Sequence, residues 1–350
     1  MNVSDFIGMN TLNTSYIEID EFLELSNILS GEKWLYQQKE WLNVVLNGLN
    51  LRVFGLKTES IQDGLIAVTP VMERRKLFMT LVGSPIRGSY TEFSGPVFAD
   101  EVSFKNKQRA IISQHEFLKS RGASYIEWGC KNDSDGCFNV LAELDCKCLI
   151  NETFILNLDH NTDKTWNKFK GRARNTVRKA EKNGVTVRNV DNPSVDDISE
   201  YYGMLQETFN RQGVKAPHPK IFFEELFGQL SPIGWVKLFI ASHNDKVLAG
   251  AIFLMYEGRM MYLSGTSKPE GGRLGANNLI QWEAIKFASK NGVIEYDMGG
   301  AGNAAIDKYK RSFGGNDFHH QRWVYRTWIA KLAESLYTFM VKRGWMRING

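Results

Sequence analysis

Long apolar runs are missing from this chain of 350 residues. No window approaches the roughly 18 uninterrupted apolar residues that a membrane span requires. The opening MNVSDFIGMNTLNTSYIEIDEF also lacks the basic segment and apolar stretch of a secretory leader. The expected location is therefore the cytoplasm. Cysteine is scarce as well. Cys130, Cys137, Cys146 and Cys148 are the only four, their spacing matches no common zinc site, and His115 is not placed to complete one. The sequence thus predicts no metal and free, mostly buried thiols. Other absences exclude reaction classes. There is no Gly-x-Ser-x-Gly elbow with a Ser-His-Asp order, no Walker loop, and no Gly-x-Gly-x-x-Gly after a strand, which argues against a hydrolase, a kinase and a dehydrogenase.

What is present occurs twice. A hydrophobic share of 43% with 23% charged residues is that of a globular chain, and the length suits two domains rather than one core. Residues 63–83 (DGLIAVTPVMERRKLFMTLVG) lie on residues 245–265 without a gap, an offset of 245 − 63 = 182. Residues 122–129 (GASYIEWG) lie on residues 292–299 (GVIEYDMG), an offset of 292 − 122 = 170. Each first block reads as two strands around a polar turn, and each second block as a short strand carrying an acid and ending in glycine. One modest insertion reconciles the offsets. A repeat this long is a duplicated domain, not a solenoid. The expected boundaries are 1–155, 156–326 and a C-terminal helix over 327–350, with an acceptor-binding first domain and a catalytic second.

The net charge of +4 is mild but unevenly spread. Over residues 165–183 (TWNKFKGRARNTVRKAEKN), Trp166, Phe169, Ala173, Val177 and Ala180 form a helical apolar stripe. Lys170, Arg174, Arg178 and Lys182 recur every fourth residue beside it, with Glu181 the only acid among them. Like charges at that spacing repel unless something anionic offsets them. The candidates are the pyrophosphate of a nucleotide sugar or of coenzyme A, a lipid diphosphate, or a tRNA acceptor stem; the alternative is a solvated helix face.

Further on, WVKLFIAS, VLAGAIFLMY and RMMYLSGTS read as an antiparallel meander. PEGGRLGANNLIQWEAIKFASKNG then passes from a glycine-rich loop into an amphipathic helix, and VIEYDMGG is a strand. This order is α+β rather than doubly wound. The loop, with Arg273, Gly275, Ala276 and Asn277 at its junction with the helix, is suited to an anion held on helix N-terminal amides.

Three segments together, KFKGRARNTVRKAEKNGVTV, the loop-helix into IEYDMGG, and DKYKRSFGG, resemble the Fem aminoacyl transferases and the FemAB-like acetyltransferases of the GNAT superfamily. The resemblance implies two tandem GNAT-like domains, each a mixed, mostly antiparallel sheet flanked by helices. It implies acyl transfer to an amine, with acyl-CoA as donor or, as the alternative, aminoacyl-tRNA. By the same resemblance Lys310, before Phe313-Gly314-Gly315, faces an oxyanion, and Asp297 accepts a proton or positions the amine. Tyr262 and Tyr309 are candidates to protonate a leaving group, and Lys170, Arg174, Arg178 and Arg311 to hold anionic substrate. His319 and His320 read as structural. The acceptor implied is a nucleotide-linked or lipid-linked amino sugar, or a cell-wall peptide precursor. A non-catalytic nucleic-acid-binding protein is the rival from another class.

The final segment TWIAKLAESLYTFMVKRGWMRING reads as a helix with Ile329, Leu332, Leu336, Phe339 and Met340 on one side and Lys342, Arg343 and Arg347 at its end. Such a stripe either packs on its own domain or rests on the anionic inner face of a membrane, with Trp345 and Met346 at the interface.

Overall fold

The computed structural model describes residues 12–29, 31, 33–131, 136–300 and 304–342. The chain divides into two compact units: one runs to Ile150 and takes back the chain from His320, and the other spans Asn151–His319.

In chain order the first unit holds β1 (Asn13–Ile17), α1 (Ile19–Ile28), α2 (Lys39–Leu49), β2 (Arg52–Ser60), β3 (Gly64–Lys76), β4 (Met79–Ser84), β5 (Val97–Phe98), α3 (Phe104–Ser120) and β6 (Ala123–Cys130). The strands lie in the order β1-β2-β3-β4-β6. Hairpin neighbours are antiparallel, whereas β4 and β6 are parallel because α3 carries the chain back across the sheet between them. The core gathers Phe54, Val71, Ile111, Leu118, Ile126 and Trp128.

β7 (Lys147–Asn157) leads into the second unit. There follow α4 (Thr162–Lys168), α5 (Gly171–Lys182), β8 (Thr186–Val190), α6 (Val195–Arg211), α7 (Lys220–Leu230), β9 (Val236–His243), β10 (Lys246–Tyr256), β11 (Arg259–Ser267), α8 (Pro269–Leu274), α9 (Ala276–Lys290), β12 (Glu295–Gly300) and α10 (Ala304–Lys310). The order is β7-β12-β11-β10-β9-β8, and β11–β12 is the parallel pair. The chain closes with β13 (Asn316–Arg326) and α11 (Trp328–Lys342).

The α+β class and the tandem of mixed, mostly antiparallel sheets are as expected. Four local expectations need correction. Residues 321–326, expected within the second domain of 156–326, instead pair antiparallel with β6 and so complete the first unit. The basic helix is two helices, because Phe169 and Lys170 adopt extended backbone while the Phe169 ring drops against Phe313 and Trp282. The glycine-rich loop before α9 is itself the short helix α8, with proline at its first position. Finally, the turn of the first repeat is apolar. Lys76 pairs with Met79 and leaves Leu77-Phe78 at the tip, whereas Tyr256 pairs with Arg259 and leaves Glu257-Gly258. The turns are 257 − 77 = 180 apart, so the gap-free alignment slips by two there.

Ile329 on α11 is half-buried, while Leu332, Leu336 and Phe339 face outward. The side chains of Met340, Lys342, Arg343, Trp345, Met346 and Arg347 lie outside the described residues.

Candidate active site

In the second unit β11 and β12 pair at Arg259–Glu295, Met260–Tyr296 and Met261–Asp297, and then part. Among the described residues, 263–267 of β11 continue beside β10 with no β12 partner. The register against β10 steps from Ile252–Ser264 to Phe253–Tyr262, leaving Leu263 as a bulge. A bulge bends its strand and increases the twist, which helps open the wedge. Asp297 stands at its apex. Its buried carboxylate accepts a bond from the Thr153 hydroxyl on β7, and another from the Gly299 amide at 2.8 Å.

α10 brings a cation to the same place. Lys310 is buried rather than solvated, its Nζ donates to the Gly300 carbonyl at 2.7 Å, and the ammonium lies 6.0 Å from the centre of the Tyr262 ring. The adjacent Tyr309 hydroxyl donates to the Asn277 carbonyl at 3.2 Å. Burial, reinforced by Tyr262, pushes the Tyr309 phenol well above its ordinary range, so it stays protonated near neutrality. Asp297, Lys310, Tyr309 and Tyr262, all singled out in the sequence, thus converge. Thr153 and Gln281, whose Oε1 takes the Tyr296 hydroxyl, complete the cluster and were not foreseen. The motif itself is braced by packing. Gly314 has φ +82, and a Cβ there would lie 2.5 Å from the Lys168 carbonyl oxygen, so no larger residue fits.

The two anion-binding candidates also meet. The N-cap of α9 is Gly275, whose φ is +83 and which supplies no side-chain cap, so the first-turn amides of the helix point outward as orphan donors. A Cβ on Gly275 would sit 2.8 Å from Thr176 Cγ2 and 2.9 Å from the Thr176 carbonyl oxygen, which shows how closely α5 packs on this junction. Lys179 of α5 donates to the Arg273 carbonyl at 2.9 Å. α5 has no acid in its first turn, where the helix dipole would favour one. Lys170 at its N-cap, Arg172, Arg174 and Lys182 make no ion pair among the described residues. Arg178 lies 5.6 Å over the Trp166 ring.

Arg311 has a different place from the one expected. Its guanidinium bonds Glu152 at 2.5 Å and Asp317, and covers the Phe154 ring. With two carboxylate partners it braces the unit and is not left to hold substrate.

The first unit presents the same elements closed. β4 and β6 stay paired to Ser84–Trp128. The chain after β4 then covers their ends: the Arg87 amide bonds Glu127 Oε2 at 2.9 Å, and the Ser94 amide bonds the Gly129 carbonyl at 2.9 Å. Glu127, the counterpart of Asp297, is fully buried, ion-paired to Arg322 at 2.8 Å and bonded by the Tyr125 hydroxyl at 2.7 Å. α3, the counterpart of α9, is capped by its own Ser103 and preceded by Asp100 and Glu101. This unit offers instead a cavity of about 590 Å³ lined by Trp34, Gln37, Ser94, Asp100, Lys107 and Lys131 among others. His115 lies in its core, where Nδ1 accepts from Trp128 Nε1 at 3.2 Å and burial lowers the ring to about 3. Among the described residues the four cysteines are free and no group could hold a metal ion.

Residues 167–311 match the family profile of the acetyltransferase (GNAT) domain. That span holds α5, the α8–α9 junction, the β11–β12 wedge, Asp297 and Lys310. The second unit thus carries a GNAT acetyltransferase domain. No curated protein matches the chain in sequence. Among solved structures it is similar to FemX, at 18% identity and TM-score 0.66 over 94% of this chain and 99% of that one. It is also similar to the C-terminal domain of a putative lysylphosphatidylglycerol synthetase from Agrobacterium fabrum, at 13% identity and TM-score 0.57 over 92% and 98%. A tandem GNAT protein from the clavulanic acid biosynthesis pathway aligns at 7% identity and TM-score 0.58 over 90% and 98%. At such identities these likenesses establish the tandem fold. Among the described residues no helix is long and apolar enough to cross a membrane.

Proposed function

We propose that the acyltransferase moves an acyl group from acyl-coenzyme A to the amino group of an amino sugar or related cell-surface glycan precursor. Chemistry belongs to the second unit, and the cavity of the first unit is the acceptor candidate. The observation that carries this reading is the packing of basic α5 on the uncapped N-terminus of α9, beside the open edge of β11. A diphosphate fits there by charge and by its need for amide donors, with Arg273, Gly275, Ala276 and Asn277 at the junction and Arg174 and Lys170 nearby on α5. An extended thioester arm then lies along residues 263–267 of β11, on the side from which β12 has parted, which leads to Asp297.

The acceptor nitrogen attacks the thioester carbonyl, forming a C–N bond. The proton it sheds passes to Asp297, already oriented by Thr153 and Gly299. Negative charge gathers on the carbonyl oxygen opposite the Lys310 ammonium, a fixed charge in a water-poor site. As the C–S bond breaks, the thiolate takes a proton from Tyr262 or solvent. FemX and the lysylphosphatidylglycerol synthetase domain share this fold, and the latter's name denotes a lipid product, which supports a lipid-linked acceptor beside a nucleotide-linked one. The solvent-facing cations of α5 equally favour a tRNA acceptor stem, so aminoacyl-tRNA is the second reading of the donor.

The test is thiol release from a panel of acyl-CoA thioesters with UDP-amino sugars, in wild type and Lys310→Ala. Release should require an amino sugar and fall roughly 10²- to 10³-fold in the variant. Undiminished release by Lys310→Ala would falsify the role given to it. Activity destroyed by ribonuclease, with no turnover of acyl-CoA, would move the donor to aminoacyl-tRNA.

A further inference from the structure

We propose that the first unit docks on an anionic lipid bilayer through two adjoining elements, the β3–β4 hairpin tip and the outward stripe of α11. The hairpin turn carries Leu77 and Phe78, exposed to 88% and 73%, with Leu77 at φ 54. Two-residue hairpin turns of this kind call for glycine or asparagine, and a bulky side chain at positive φ is unfavourable. The equivalent turn of the second unit also sets a non-glycine residue at positive φ, Glu257 at φ 44, but it follows with Gly258 at φ 72 and exposes no large apolar side chain at its tip. Two large apolar side chains at a strained, solvent-facing tip are not there for the fold; they are placed to enter an apolar medium.

α11 repeats the pattern. Trp328 is 73% exposed, and Leu332, Leu336 and Phe339 are about half exposed. At 3.6 residues per turn these four fall within an arc of about 80°, while Ala330 and the half-buried Tyr337 take the other side. The two elements adjoin, since Lys76 Nζ is 5.9 Å from the centre of the Tyr337 ring.

Charge selects the occupant. Arg75 and Lys76 flank the turn and Lys331 sits on the helix. The acids nearby are engaged: Glu73 by Arg52 and Arg75, and Glu334 by Arg326. An apolar patch with a net positive rim matches anionic headgroups over acyl chains. A second copy of this chain would set the same cations against each other. The proposal rests on the first unit alone and is independent of the donor and of the chemistry.

The full chain would be sedimented with phosphatidylcholine vesicles, with and without phosphatidylglycerol, at low and high salt. Binding should need phosphatidylglycerol, weaken with salt, and drop at least about tenfold in both Leu77→Ser/Phe78→Ser and Leu332→Ser/Leu336→Ser. All four positions are exposed, so circular dichroism should show both variants folded. Absence of vesicle binding, or binding that survives both pairs of changes, overturns the proposal. So does self-association without vesicles that the same changes abolish, which would assign the face to a second copy.

Discussion

Lys310 and Arg311 are neighbours in sequence with opposite fates. One is buried against the Gly300 carbonyl in the candidate active site; the other is neutralised by Glu152 and Asp317. Lys310 was legible because it precedes Phe-Gly-Gly. The partners of Arg311 were not, since Glu152 lies on another strand and no local pattern announces it. Thr153 and Gln281 escaped notice for the same reason: the bond from Thr153 to Asp297 spans 144 residues. His115 yields a prediction at this scale. Burial holds the folded ring neutral down to about 3, against an ordinary 6.5. Between those values the unfolded chain binds a proton that the folded chain refuses. Stability from this group is therefore complete above about pH 6.5 and declines by about 1.4 kcal/mol per pH unit as the pH falls through that window. His115→Gln keeps an acceptor for Trp128 and should flatten that decline. Urea midpoints from about pH 7 to pH 4 that fall equally in both proteins would refute the assignment.

Elements were easier to read than their joints. The meander β9–β10–β11, helix α9 and strand β12 follow from strand propensity and helical periodicity. The break between α4 and α5 does not, because Phe169 belongs to the helical stripe yet leaves the helix to reach Phe313. α8 was hidden by its glycines, which are poor helix formers in isolation. The α5–α9 contact gives the element-scale prediction. In Gly275→Ala the new methyl meets Thr176 at a backbone angle that alanine rarely adopts. We expect a stability loss of about 1–3 kcal/mol and, because α9's first-turn amides shift, a KM for acyl-CoA raised about tenfold with kcat little changed. An unchanged KM in a folded variant would separate the helix end from the donor.

Across the whole molecule the duplication was visible in sequence, while its divergence was not. The gap-free alignment ran straight through hairpins whose turns differ in length of approach and in chemistry, Leu77-Phe78 against Glu257-Gly258. Nor did it reveal that one wedge is open and the other covered by the chain after β4. A binding count should register the difference. Calorimetric titration with a non-transferable acyl-CoA analogue is expected to give about one site per chain, because only the second unit combines parted strands with an uncapped helix end. Two equal sites would contradict that.

The path of β13 bears on how the protein is made. Unit one contributes its first six strands early in synthesis, yet β6 gains its β13 neighbour only after residues 151–319 have been translated. Until then β6 is an open edge, able to pair with other nascent chains. The unit that leaves the ribosome first is the last to be finished, so the second unit can fold while its elder still waits for one strand.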